Sequence, residues 1–342
     1  MLQTANEMFE QEDKGELSTL DTRLSKQFDE LQDIFDKYRH VAHAGETGWQ
    51  TSDISRRNRL IAEIIYKQSN LLSCGLEVTP RFPTQELDVQ WDFGTKFSGK
   101  WKIPEGVTAD LERTTWYPKR LKLYKYEVAF MYTWEQMIYD KEGYHMQHNL
   151  RVASDDQAEQ IDNCILDEYH AHAGHNAAAV HPWDDLDSSE PNPTRDVATL
   201  KKWIFKNSNV NRQEVKQLAM LYPAECEGIL EVLREINGIR SNYVDYFNAL
   251  GVQLLSSRSP TLSATSHADY GTRNEGLLLV KGSMTARFFD FTGYPPVPLT
   301  QRLEQEQGHK YIIRRWFNTK CIPESQTVEN NYRVTRLTGI RT

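Results

Sequence analysis

Residues 143–169 read GYHMQHNLRVASDDQAEQIDNCILDEY. Met146, Leu150, Ala153, Ala158, Ile161, Ile165 and Tyr169 recur at helical spacing and form one apolar stripe on an otherwise polar segment. The spacing predicts a helix of about 25 to 30 residues, roughly 40 Å long, able to act as a beam. Gly174 and the neighbourhood of Pro182, Pro191 and Pro193 end it, and a domain junction is expected in that polar stretch.

N-terminal to the beam, Leu17, Leu20, Leu24, Phe28, Leu31, Phe35 and Tyr38 make an amphipathic stripe that needs a partner surface. A second helix opens near Ser52 or Asp53, carries Leu60, Ile61, Ile64, Ile65, Leu71 and Leu72, and is expected to stop at Gly75. The texture then changes to period two. Leu87, Val89, Trp91 and Phe93 alternate with Asp88, Gln90 and Asp92, a strand with one buried face. A second extended stretch, residues 119–131, reads as one long, partly buried strand. Between them lie Trp101, Ile103, Pro104, Glu105, Gly106 and Val107 in a hairpin-like excursion with little local core. Such a hairpin exposes strand edges and apolar surface that a neighbouring subunit can cover.

Beyond the junction, residues 196–206 predict a helix with Val197, Leu200, Ile204 and Phe205 inward. A strand over 215–222 follows, then a helix led by Pro223 with Ile229, Leu230, Leu233 and Ile236 inward up to Gly238. Leu277, Leu278, Leu279 and Val280 form a continuous apolar run, the mark of a strand covered on both sides. Residues 311–321 and 332–340 are further strands, separated by Pro323.

Composition narrows the function. The 342 residues carry a net charge of -8, which argues against a sequence-reading nucleic-acid module with a basic stripe. Charge is uneven, however: Lys96, Lys100, Lys102, Arg113, Lys119, Arg120, Lys122 and Lys125 contrast with acidic segments in the first forty residues and at 184–190, so copies can attract one another. Sixteen Tyr, thirteen Phe and eight Trp describe an ordered protein. The four cysteines have no Cys-x-x-Cys spacing, and neither a signal peptide nor an apolar run long enough to span a bilayer is visible, so cytoplasmic synthesis without membrane insertion is expected.

Catalytic patterns are weak. His170, His172, His175 and His181, with Asp167 and Glu168, offer metal-ligand chemistry without metal-ligand spacing, and a helix C-terminus explains histidines equally well. Lys281, Gly282 and Ser283 have the wrong order for a phosphate loop, and no Gly-x-Ser-x-Gly elbow is present. No catalytic, cofactor-binding or metal residue is assigned.

The order of arm, second helix, basic hairpin, beam, inserted domain and terminal strands resembles Hong Kong 97-type major capsid proteins and encapsulins. Local stretches are similar as well: Trp101, Lys102, Ile103, Pro104, Glu105 and Gly106 near a loop tip, residues 123–140 before the beam, 215–227, 279–283, and Gly308, Tyr311, Ile313, Trp316 and Pro323 in the closing strands. The resemblance covers most of residues 55–340. It implies an α+β fold: an N-terminal arm (1–58), a helix leading into an extended loop (59–75), the extended loop (76–125), a peripheral domain with a spine helix (126–194), an axial domain (195–305) and a return to the peripheral domain (306–342).

The implied function is non-enzymatic: a major capsid protein whose hexamers and pentamers close an icosahedral shell around double-stranded DNA, made in the host cytoplasm and located in the virion. Implied partners are other copies of the chain, a separate scaffold or none, portal or minor capsid proteins, and nonspecific contact with packaged DNA, with no cofactor and no membrane. Subunit contacts are expected at Leu24, Phe28, Leu31, Phe35, Lys100, Trp101, Ile103, Glu105, Arg113 and Trp116. Some relatives crosslink a loop Lys to a neighbour's Asn; Lys100 and Lys102 lie in that region, but no motif identifies the partner, so that chemistry is not carried over. The alternatives are an encapsulin-type nanocompartment and, from another class, a His-ligated metalloenzyme.

Overall fold

The computed structural model describes residues 26–31, 33–34, 51–94, 116–139, 144–183, 193–208, 210, 214–232, 234–236, 239–267, 271–292, 299–303, 308–325 and 327–341. After helical residues 26–31 and 33–34, α1 (Thr51–Leu72) and α2 (Cys74–Val78) lead into β1 (Arg81–Thr84), β2 (Asp88–Gly94), β3 (Trp116–Lys122) and β4 (Tyr124–Thr133). Next come α3 (Trp134–Tyr139), α4 (Tyr144–Ala171), β5 (Ala173–Ala178), α5 (Pro193–Asn207), β6 (Leu218–Pro223), α6 (Glu227–Leu230), β7 (Arg234–Ile236), β8 (Ile239–Ser241) and α7 (Tyr243–Ala249). Strands β9 (Val252–Ser257), β10 (Ser263–His267), β11 (Gly271–Val280), β12 (Ala286–Phe291), β13 (Leu299–Leu303), β14 (Gly308–Cys321) and β15 (Asn331–Thr338) complete the order.

The chain divides into two compact units, one from residues up to 72, 125–158 and 294–315, the other from 73–124, 159–293 and 316–342. In the first, the predicted stripe of α1 is realised: Leu60, Ile61, Ile64 and Ile65 are buried against Met146, Leu150 and Ala153 of α4, Val128 and Tyr132 of β4, and Tyr311 and Ile313 of β14. Strand β13 pairs antiparallel with β14, Leu299 opposite Ile312. Polar groups that enter this core are partnered. The Arg315 guanidinium donates to Asn70 Oδ1 at 2.9 Å and lies 4.3 Å from the centre of the Tyr66 ring, and Ser69 Oγ donates to Gln157 Oε1 at 2.8 Å.

In the second unit the sheet order is β5-β15-β11-β6-β9, with β10 on the first part of β11. The run Leu277 to Val280 lies between β15 and β6 and is fully buried, as its unbroken apolar character requires. Val197, Leu200 and Ile204 of α5 join the same core. A second set of strands has β12 antiparallel to the end of β14, Ala286 opposite Cys321, and β1 parallel to β12. Asn331 ties the segments between strands together: its Nδ2 donates to the carbonyls of Thr285 (2.9 Å) and Ile322 (2.7 Å), and its Oδ1 accepts from Arg333 N–H.

Helix α4 has 28 residues, within the predicted length, and its whole predicted stripe is buried. Several expectations are corrected. Gly75 does not stop a helix but sits inside α2, where a Cβ would come within 2.9 Å of Ile165 Cδ1 and 3.0 Å of Asp162 Oδ1, so close approach to α4 requires glycine. Gly174 likewise lies in β5, after α4 has ended at Ala171; a Cβ there would meet the Asn331 carbonyl at 2.9 Å. Residues 119–131 are not one strand: β3 and β4 are separated at Leu123, and the buried residues change from odd positions (Leu121 in β3 and Leu123 between the strands) to even ones in β4 (Val128, Tyr132).

Phe205 is 39% exposed beneath Lys201, not inward. Leu87 is also exposed, since it precedes the ribbon strand rather than joining its buried face. Val215 belongs to a 3-10 turn, and Pro223 closes β6. The helix expected up to Gly238 ends at Leu230; Arg234–Ile236 is a strand, with Ile236 paired to Ile239 across an Asn-Gly sequence, the dipeptide that favours tight hairpins.

Leu278 is fully buried with neighbours on both strands. Leu278→Ala is therefore expected to lower unfolding free energy by about 3 kcal/mol in urea titrations, as deleting a fully enclosed leucine does.

Candidate assembly surfaces

Strands β2 and β3 form a two-stranded antiparallel ribbon, in register from Asp88 opposite Lys122 to Gly94 opposite Trp116. Alternation gives it two unlike faces. Val89, Trp91, Leu121 and Leu123 pack on Phe289 and Ile322, while Asp88, Gln90, Asp92, Arg120 and Lys122 are exposed. Arg287 lies 5.1 Å from the Phe82 ring centre and 5.7 Å from that of Trp91, so a cation–π contact joins β1 and the ribbon to β12.

The approach to this ribbon is fixed by Asp162 of α4. Its carboxylate accepts from Ser73 Oγ–H at 2.5 Å, Gly75 N–H at 2.8 Å and Cys74 N–H at 3.3 Å, while Ser73 Oγ accepts from Leu76 N–H as the N-cap of α2. Burial pushes this carboxyl above the usual Asp range despite those donors, and the Cys74 thiol beside it is also pushed up, first by burial and then by the Asp162 charge. Sequence reading missed Asp162, because one acid among many on a polar helix carries no mark of burial.

Among the residues expected to contact neighbours, Leu31 is 2% exposed in the core of the first unit, and Phe28 packs against that core. Trp116 begins β3 opposite Gly94. Leu24, Phe35, Lys100, Trp101, Ile103, Glu105 and Arg113 lie outside the described residues. Large apolar side chains that the sequence reading did not single out are exposed as well, among them Tyr139 (79%), Tyr144 (67%) and Val152 (51%).

The histidines serve separate contacts. His170 Nδ1 is 2.6 Å from Glu275 Oε2, with Arg336 Nη1 about equally close to both ring nitrogens. His172 meets Glu168 and Lys320, and the ring of His175 stacks on Trp203 at 4.8 Å between centres. His181 is exposed. Among the described residues no group of three or more His, Cys, Asp or Glu is placed to hold a metal ion. No described helix is long and apolar enough to cross a membrane.

No family model and no curated protein matches the sequence. Solved structures do match in fold. The virus-like particle of Pyrococcus furiosus aligns with a TM-score of 0.52 at 9% identity, over 81% of this chain and 97% of its own. The capsid of an empty GTA particle gives 0.53 at 9% identity, over 78% and 89%. The chain has the Hong Kong 97-like capsid fold. A third capsid of this fold, from the cyanophage P-SCSP1u, aligns at 0.50 with 8% identity over 78% and 87%. The capsid fold is thus present over most of the chain while little of its sequence is shared, in agreement with the α+β architecture expected from element order.

The raised pKa of Asp162 has a signed consequence. The folded state holds this proton more tightly than the unfolded chain, so the group's stabilising contribution is complete below the unfolded value of about 3.9 and is lost as pH rises through the higher folded value. Urea titrations across pH should show wild type losing stability relative to Asp162→Asn as pH climbs from about 4, with the two curves parallel once the folded group has ionised.

Proposed function

We propose that this chain is a major capsid protein, whose copies form hexamers and pentamers of an icosahedral shell enclosing double-stranded DNA. The observation that carries the reading is the near-complete correspondence with the virus-like particle subunit, 97% of which is covered. Its role is mechanical rather than enzymatic. In this reading residues 1–58 are the arm, 59–75 the helix leading to the extended loop 76–125, 126–194 and 306–342 the peripheral domain with α4 as its spine, and 195–305 the axial domain. The ribbon supports it physically, because a two-stranded ribbon is marginal alone and gains cover from a neighbour.

The net charge of -8 fits a wall that touches DNA without gripping it. The further partners in this reading are a separate scaffold or none, and portal or minor capsid proteins. Assembly takes place in the host cytoplasm, and the shell resides in the virion. Leu24 and Phe35 of the arm and Lys100, Trp101, Ile103, Glu105, Arg113 and Trp116 of the loop are the proposed contact residues, while Phe28 and Leu31 are engaged in the chain's own core.

Light scattering of the purified protein, with negative-stain microscopy of the same peak, should show closed particles of megadalton mass. Particles from native material should contain nucleic acid; protein cargo in its place would favour an encapsulin-type compartment of the same fold. A monodisperse species at the chain mass of 39.8 kDa, unchanged by concentration or crowding, would contradict self-assembly.

A further inference from the structure

In the second unit, helix α5 presents exposed charges of one sign. Arg195, Lys202 and Lys206 are exposed, and Lys201 is half-buried. The single acid of this helix, Asp196, is 3% exposed and turned inward, where its carboxylate accepts from Trp183 Nε1–H at 2.9 Å and Val180 N–H at 3.2 Å. At about 3.6 residues per turn, Arg195, Lys202 and Lys206 fall within an arc of roughly 40° and along about 16 Å of the helix axis. The opposite side is Val197, Leu200 and Ile204, buried in the core, so the row of cations is mounted on a fixed element.

Elsewhere in this unit cations sit against carboxylates: Arg273 with Asp167, Lys320 with Glu168, Arg333 with Glu214 and Arg341 with Glu225. Lys201 donates to the Leu250 carbonyl at 3.4 Å. Among the described residues no carboxylate pairs with Lys202 or Lys206. In a chain of net charge -8, such a row complements an anionic partner, either an acidic segment of another copy, such as residues 184–190, or phosphate. Only Ala198 and Thr199 lie among the cations of the row, with no large apolar side chain. A protein segment would therefore gain exposed charge pairs alone, each worth at most about 1 kcal/mol. A phosphate backbone, with one charge per about 3.4 Å of each strand, meets the row in any register and gains from release of its counterions.

We propose that this face of α5 binds the phosphate backbone of double-stranded nucleic acid, with Lys202 and Lys206 at its centre and Arg195 at one end. About three phosphates are engaged at once, no base is read, and the contact is weak and salt-dependent. On a subunit that is net acidic, the genome then touches one repeated place per copy instead of adhering throughout. The inference rests on the shell reading and adds the place of contact; it requires α5 to lie on the inner side of the shell.

The test measures binding of a short random-sequence DNA duplex to the full chain by fluorescence anisotropy across salt concentrations. Wild type is compared with Lys202→Glu plus Lys206→Glu, and with Arg120→Glu plus Lys122→Glu, an exposed pair on the ribbon, as a control of equal net charge. The α5 variant should lose at least about tenfold in affinity at low salt, and its dependence of log affinity on log salt should be shallower by about 2, with the control within about twofold of wild type. In DNA-filled particles Lys202 and Lys206 should be acetylated more slowly than in emptied ones. Equal losses in the two variants would reduce the effect to net charge and overturn the α5 site, as would wild type that binds no duplex or equal acetylation in filled and emptied particles. An α5 variant that binds the duplex like wild type but forms no particles would overturn it in favour of a protein partner. Duplex binding lost in the α5 variant alone, in a chain that forms no particles, would remove the shell reading and leave the α5 site standing.

Discussion

A two-stranded ribbon cannot support itself in water, and the second unit is arranged around that constraint. The ribbon is held along one face only, where Val89, Trp91, Leu121 and Leu123 bury against Phe289 and Ile322. That contact needs β12 in place, and β12 is held between β1 and the end of β14. It also needs residues 73–75 held in place ahead of β1, which their hydrogen bonds to Asp162 provide. Burying a carboxyl there costs free energy, which its donors offset in part, and burial raises its pKa. The cost is tolerated because a loose entry to β1 would let the ribbon shift register, and a shift of one residue turns Val89 and Trp91 to solvent.

The same constraint links fold to function. Among the described residues, a ribbon covered on one face leaves the other face and the β2 edge uncovered. In a monomer such an edge is a hazard that proteins usually blunt. Here β3 is blunted by Pro118 and β2 is not, so the asymmetry lies in the sequence itself. His170, His172 and His175 join the C-terminal end of α4 and the start of β5 to the strands and helix around them through Glu275, Lys320 and Trp203.

Legibility followed how much of each element's environment its own residues report. Helix α4 was readable because seven apolar positions in a polar segment leave one geometry, and β11 because four consecutive buried residues need cover on both sides. The β2 face was readable by alternation at Val89 and Trp91. The switch at Leu123 was not, since a strand that changes its buried parity looks locally like one continuous strand. The β7–β8 hairpin is hidden because Ile229, Leu230, Leu233 and Ile236 keep helical spacing and Gly238 reads as a helix stop, although Asn237 and Gly238 also carry a turn signal. Asp162 and Asn331 act through burial and many-segment hydrogen bonding, which residue type alone does not report. Fold neighbours at 8 to 9% identity fit this picture, because pattern and element order carry the architecture while residue identities drift.

The central claim is that the ribbon is completed by neighbours, and amide hydrogen exchange tests it most directly. Exchange at residues 88–94 and 116–122 would be compared between assembled particles and dissociated subunits held below the assembly threshold. The account predicts strong protection in particles only of the Asp88, Gln90 and Asp92 amides, which the register and the Leu123 N–H to Leu87 carbonyl bond turn away from β3, with Val89 and Trp91 protected in part in both states. Equal protection of all these amides in the dissociated subunit would contradict it, since the ribbon would then be complete within a single chain.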